Sequence, residues 1–219
     1  PLLQLLFNAG VFVTKQDGIA VADWPPLANR LGINYMDRDF MVAALKEGKS
    51  AIGHPVIGKR LKSPIFAMST PVRDAHGKVI GAIVGVVNLA QHSFLDKIAE
   101  NTYGKTGGYV LISAKQRLVV TATDKSRVME RLPPEGVNAW VDRFASGYEG
   151  SAISPNPKGV TVLVSAKRIP TAGWYVLATL PTSEAFAPVY AMRLRLLWAT
   201  LALTLLIGGL TWWILRRQL

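Results

Sequence analysis

The sequence predicts an α+β chain: two tandem modules, each an antiparallel five-stranded sheet crossed by a helix, followed by a C-terminal transmembrane helix. Three observations predict it. Apolar residues alternate in short runs bounded by turn residues, one order of elements returns about one hundred residues later, and a long uncharged run lies near the C-terminus. Gly10 to Thr14 alternates, Lys15-Gln16-Asp17-Gly18 supplies turn chemistry, and Ile19 to Ala22 alternates again, a hairpin signal. From Asp37 to Glu47, Phe40, Met41, Ala44 and Leu45 fall at helical spacing, with Gly48 as a stop. Three strand-like runs follow, Ala51–Ile57, Ile65–Val72 and Val79–Leu89, the last two joined by the polar turn Arg73 to Lys78.

The second module repeats this order. Gly108–Ser113 and Leu118–Ala122 form a hairpin, Val137–Phe144 a helix, and Glu149–Ser154, Val160–Arg168 and Trp174–Leu180 three strands. Between the modules, Ser93–Glu100 reads as a connecting helix with Ser93 as its N-cap. The expected divisions are a stalk-helix end (1–9), a first module (10–92), a connecting helix and linker (93–107) and a second module (108–182). A juxtamembrane helix (183–195), the span (196–215) and the start of a cytoplasmic segment (216–219) complete them.

Leu196 to Leu215 contains no charged residue, and at 1.5 Å per residue it covers roughly the 30 Å of a bilayer's apolar core. Trp198 near one end and Trp212 and Trp213 near the other occupy interfacial positions. Arg193 and Arg195 precede the run and Arg216 and Arg217 follow it, so basic residues alone leave its orientation tied. Pro1 to Asn8 has no basic start and is no signal peptide; a further span or signal is expected upstream, in a longer protein.

The 25 Lys and Arg against 14 Asp and Glu leave a net charge of +11. These charges are scattered, with no patch interleaved with aromatics, which argues against nucleic acid as a partner. The absence of cysteine excludes a disulfide framework, a Cys-ligated zinc and a thiol nucleophile. Gly104-Lys105-Thr106 imitates part of a P-loop, but Ala99 stands where its first glycine belongs and a strand follows. His54, His76 and His92 lack metal-ligand spacing, and no nucleophile elbow is present. No catalytic residue, metal or cofactor is expected.

The chain resembles a double-Cache sensor domain, two PAS-like modules in tandem ahead of a membrane helix. In the first module the resemblance rests on Gly10-Val11-Phe12-Val13-Thr14 with Asp17-Gly18, on Asn34 to Phe40, and on Ile65 to Leu89. In the second it rests on Tyr103 to Tyr109 and Gly173-Trp174-Tyr175-Val176-Leu177. The resemblance implies a sensor in the periplasm, anchored in a bacterial inner membrane and working as a homodimer. The sequence is most similar to the diguanylate cyclase branch; histidine kinases and chemoreceptors are the other outputs. In amine- and amino-acid-binding members an Arg and an aromatic two positions later precede the third strand, and Arg38 and Phe40 match them. A Tyr and an Asp on that strand, and an Asp on the fifth, fall here on Val56, Gly58 and Val87 or Asn88. With no carboxylate left to neutralise an ammonium, the resemblance implies a small anionic ligand, such as a carboxylate.

Arg38 is the anchor expected, since its guanidinium fork matches a carboxylate; its bland alternative is an ion pair with Asp37 or Asp39, or a backbone carbonyl at the helix start. His54 could face the same pocket or be an ordinary satisfied histidine. Tyr35, Phe66, Ser69 and Asn88 are expected wall residues, with packing or capping as the alternative. Two other classes of function stand beside the sensor. One is a membrane-anchored enzyme domain. The other is a module that binds no ligand and pairs with a partner protein, which a collapsed pocket in the first module would favour.

Overall fold

The computed structural model describes residues 6–99 and 102–218. In the first module, strands β1 (Val11–Lys15) and β2 (Ala20–Trp24) form a hairpin. Asp17 accepts the Ile19 N–H at 2.9 Å, and Gly18 closes the turn at φ +80°. Helix α1 (Asp39–Leu45) crosses to β3 (Ala51–Ile52) and β4 (Val56–Ile57), and β5 (Pro64–Arg73) and β6 (Val79–Asn88) follow. The sheet order is β2-β1-β6-β5-β3, with β4 also paired to β5, and every pairing is antiparallel.

Two expectations are corrected here. Ala51–Ile57 is broken into two short strands, so this sheet has six strands instead of five. The cause is local: Pro55 has no N–H to give to a ladder, and the His54 N–H turns away to Asp39 Oδ2 at 3.2 Å. The helix also begins later than Asp37. Asp39 turns its carboxylate onto the Phe40 N–H at 2.8 Å, and extended Arg38 occupies the N-cap.

Helix α2 (Asp96–Ala99) links the modules. It starts three residues after Ser93, because the Ser93 N–H donates to Asp96 Oδ2 while its C=O accepts the Asp96 N–H, both at 2.9 Å. Glu100, the expected helix end, lies outside the described residues. The second module holds β7 (Gly108–Ser113), β8 (Leu118–Ala122), α3 (Ala139–Ala145), β9 (Gly150–Pro155), β10 (Thr161–Ile169) and β11 (Trp174–Pro181). Its order, β8-β7-β11-β10-β9, repeats the β2-β1-β6-β5-β3 path of the first sheet, with no counterpart of β4. Asn138 caps α3, accepting the N–H groups of Trp140 and Val141.

Each sheet buries one face against its own helix: Phe12, Phe40, Met41 and Val84 in the first module, Ile112, Phe144 and Val164 in the second. A third cluster joins the modules. There Phe66 and Val87 meet Leu111, Val120 and Trp174, with the Phe66 and Trp174 rings edge to face at 5.2 Å. At Phe66 and Val87, β5 and β6 are therefore buried on both faces, whereas Thr70 and Ile83 farther along are exposed.

After β11 the chain forms α4 (Thr182–Ala185), steps at Phe186, and enters α5 (Ala187–Gln218). The expected continuous helix from Ser183 is thus interrupted once. Leu197, Leu205, Leu210 and Trp212 on α5 are all more than half exposed, and its 31-residue segment Ala187–Arg217 is long and apolar enough to cross a membrane.

Candidate functional site

In the first module a cavity lies between α1, the inner face of the sheet and the loop after β4. Phe12, Ala67 and Val86 floor it, while Tyr35, Arg38 and Phe40 come from the approach to α1. Val56, Gly58, Lys59 and Arg60 close the far side. Its free volume is about 20 Å³, room for one water molecule. Gly53 permits the tight approach of α1 beneath it: a Cβ there would stand 2.5 Å from the Phe40 ring.

Four cations converge on this small space, and they differ in how far they are committed. Arg30 is 3% exposed and fully engaged. Its Nη1 reaches Asp23 Oδ1 at 2.7 Å, its backbone N–H donates to Asp23 Oδ2 at 2.9 Å, and Nη2 donates to the Ala9 carbonyl. Its guanidinium also lies over the Phe12 ring at 5.5 Å. Lys59 donates to Asp37 Oδ1 at 2.6 Å and to the Asn34 carbonyl at 2.8 Å, and stands over the Tyr35 ring at 5.3 Å. Arg38 holds the Ile57 carbonyl at 3.3 Å and lies 3.8 Å from Asp37, both loose contacts for a guanidinium. Arg60 has no hydrogen bond or ion pair among the described residues. Arg38 and Arg60 thus keep most of their donors free.

The local titrations follow from these contacts. Burial pushes the Tyr35 phenol above its ordinary value, an effect that neighbouring Arg30 opposes. For Asp37, partial burial pulls the carboxyl up, but the Lys59 hydrogen bond and charge together outweigh it and hold it below the usual range. The site is net positive and can hold an anion.

Of the residues expected from sequence, the structure brings Tyr35, Arg38 and Phe40 onto this cavity and places His54, Phe66, Ser69 and Asn88 elsewhere. His54 pairs with Asp39, Nδ1 to Oδ2 at 2.7 Å. Phe66 faces the second module. Ser69 donates its hydroxyl to the Phe40 carbonyl at 2.7 Å, tying helix to sheet. Asn88 is held by Asn8: its N–H donates to Asn8 Oδ1 at 2.7 Å, and Asn8 Nδ2 donates to its carbonyl at 3.0 Å. Period-two geometry accounts for Phe66, since Ala67 and Val86 face α1 while their neighbours Phe66 and Val87 face away; Ser69 shares the inner face but is taken up by the Phe40 carbonyl. Sequence reasoning missed Arg30, Lys59 and Arg60. The run Lys59-Arg60-Leu61-Lys62 directly after Gly58 is a signal that could have found two of them. Among the described residues no group of three His, Cys, Asp or Glu could hold a metal ion.

Two sheets of one topology in tandem, each with a helix over its inner face, form the architecture that comparison with known proteins identifies. The model of the Cache domain family matches residues 4–189. The chain belongs to the Cache domain family. Among curated protein sequences none matches it significantly. Solved structures share the fold. The ligand-binding domain of the amino acid chemoreceptor PctB of Pseudomonas aeruginosa PAO1, in complex with L-Arg, has a TM-score of 0.64 at 21% identity, over 85% of this chain and 76% of that one. The sensor domain of the V. cholerae histidine kinase DctB gives 0.56 at 14%, over 79% and 72%. An extracellular ligand-binding receptor from Desulfohalobium retbaense DSM5692 gives 0.61 at 11%; this Cache domain aligns over 78% of its own length but only 29% of that receptor. Such domains are extracellular, non-catalytic ligand binders of receptors, and here one candidate membrane helix follows at the C-terminus.

Proposed function

We propose that this Cache domain is the periplasmic sensor of a transmembrane receptor and binds a small carboxylate between Arg38 and Arg60. The observation that carries the reading is a loosely held guanidinium, Arg38, and one unpartnered among the described residues, Arg60, at one cavity, beside a lysine already partnered by Asp37. Val56 and Gly58 line the cavity and offer no side-chain acceptor for an ammonium, so the ligand is an acid without an α-amino group. Binding needs the Lys59–Lys62 loop to move outward, and that movement is the proposed switch.

Transmission has a physical route. Glu184 on α4 accepts the N–H groups of Lys105 and Thr106 and the Thr106 hydroxyl, which fastens the loop before β7 to the helix that leads into α5. A homodimer whose α5 helices shift against each other would pass the signal across the inner membrane. Coupling of about 1–3 kcal/mol suffices to change output several-fold. For that output we favour a diguanylate cyclase on the style of the sequence, with histidine kinase and chemoreceptor as the alternatives that the structural neighbours carry.

One observation favours a second reading. A cavity with room for a single water is what a module that only pairs with a partner protein would have. Calorimetric titration of the full chain in lipid nanodiscs against mono- and dicarboxylates separates the two. The sensor reading expects saturable binding that weakens about 10- to 100-fold in Arg38→Ala, the worth of a charge-assisted bidentate contact. Binding untouched by both Arg38→Ala and Arg60→Ala would remove this site, and no binding by any acid would favour the partner module.

A further inference from the structure

We infer that the second module has a ligand site of its own, built for a small aromatic carboxylate and independent of Arg38. Between β10, β11 and α3 lies an open-mouthed cavity of about 510 Å³, within the range of small-molecule sites and far larger than the one in the first module. Its floor is the aliphatic face of the sheet at Ile112, Val162 and Val164, which packs against Phe144; Trp140, stacked on Phe144 at 6.0 Å, Val141 and Leu132 form its part-exposed side. Arg143 lies over the rings of Trp140 and Tyr148, 5.4 and 4.1 Å from their centroids, and steadies this side. A flat apolar guest laid over this side removes the part-exposed surface of Trp140, Val141 and Leu132 from water.

The polar groups fix the guest's other end. Ser154 is 7% exposed, yet its hydroxyl has only long contacts, 3.4 Å from Asn138 Nδ2 and 3.5 Å from the Pro155 carbonyl. A buried hydroxyl normally makes a bond of about 2.7–2.8 Å, so this one has capacity to spare. Asn138 Oδ1 is spent on capping α3, which leaves Nδ2 as a second donor toward the same space. Of the charges on the rim, Arg127 and Glu130 satisfy each other at 2.5 Å. Arg131 is exposed and forms no side-chain hydrogen bond or ion pair among the described residues. An apolar slot with two underused donors and one free guanidinium fits a ring bearing a carboxylate. The cavity also reaches Thr179, whose hydroxyl donates to Gly108, next to the loop that Glu184 holds, so an occupant there touches the same transmission path.

Equilibrium dialysis of the full chain in nanodiscs tests this, with labelled phenylacetate and indole-3-acetate as probes and phenylacetamide as the uncharged match. The expected result is saturable binding of one acid or both at one equivalent per chain. That binding should weaken about tenfold or more in Arg131→Gln, recover in Arg131→Lys, weaken in Ser154→Val, and stay unchanged in Arg38→Ala. Arg131 is exposed, so its variants keep the fold, and calorimetry on each confirms it. Absence of saturable binding by either acid overturns the inference. So does equal affinity for phenylacetamide, and so does loss of binding in Arg38→Ala with retention in Arg131→Gln, which would move the probe to the first module.

Discussion

Arg30 and Asp23 stand behind the first-module cavity as a buried ion pair, and removing one partner has a calculable consequence. The two side chains are 4% and 2% exposed. Arg30→Met deletes the guanidinium contact to Asp23 at 2.7 Å, the bond to the Ala9 carbonyl and the contact with the Phe12 ring, and leaves the Asp23 carboxylate buried with one backbone N–H. Breaking a buried pair in this way costs about 3–5 kcal/mol, chiefly the penalty of the stranded charge. For a chain of this size each kcal/mol lowers Tm by roughly 2–4 °C, so the transition should fall by about 6–20 °C in differential scanning calorimetry of the detergent-solubilised chain. Replacing both partners, Arg30→Met with Asp23→Leu, removes the stranded charge and should restore most of the loss. A single variant within about 1 kcal/mol of the wild type, or a double variant as unstable as the single, would refute the reasoning.

Three other outcomes follow from named contacts. The Thr106 hydroxyl, then the Lys105 N–H, hold the Glu184 carboxyl below its ordinary value, so the fastening to α4 is present above that ordinary value and lost as pH falls through the lowered one. The protection of the Lys105 and Thr106 amides against hydrogen exchange, measured relative to their intrinsic rates at each pH, should therefore fall on acidification, and Glu184→Gln should remove that pH dependence. Burial pushes the Tyr175 phenol up to about 12, so stability is intact below pH 10 and declines by roughly 2–3 kcal/mol as pH rises toward 12, seen as one late-titrating tyrosine in ultraviolet difference spectra. Gly53→Ala drives a methyl to 2.5 Å from the Phe40 ring and should cost about 1–3 kcal/mol in thermal unfolding, as overpacking does.

The order of strands and helices was legible because each run carries its own period and each turn its own chemistry. Asp74, for example, accepts the N–H groups of His76 and Lys78 in the β5–β6 turn, and its place in a polar stretch with Gly77 announces it. The break in the third strand was legible in part: Pro55 within the run marks it, but Asp39, fifteen residues away in sequence, competing for the His54 N–H could not be read from the run. The face of each site residue was legible only in part. Around Phe66 and Val87, β5 and β6 are sandwiched between α1 and the second module, so both faces are apolar there and alternation carries no inside-or-outside signal; Phe66 turns away for that reason, while Asn88 is taken up by Asn8 and by the Ala90 N–H. Arg38 and Phe40 were legible by resemblance to a family motif. Lys59 and Arg60 sit in a loop, where no periodicity directs a side chain.

A crystal structure of the chain grown with the tightest-binding carboxylate of the titration tests the central claim most directly. The account predicts the acid in an enlarged first-module cavity, its oxygens within hydrogen-bond distance of Arg38 and Arg60 and the Lys59–Lys62 loop displaced outward. An acid bound with both guanidinium groups still turned away, and the cavity still the size of one water, would contradict it.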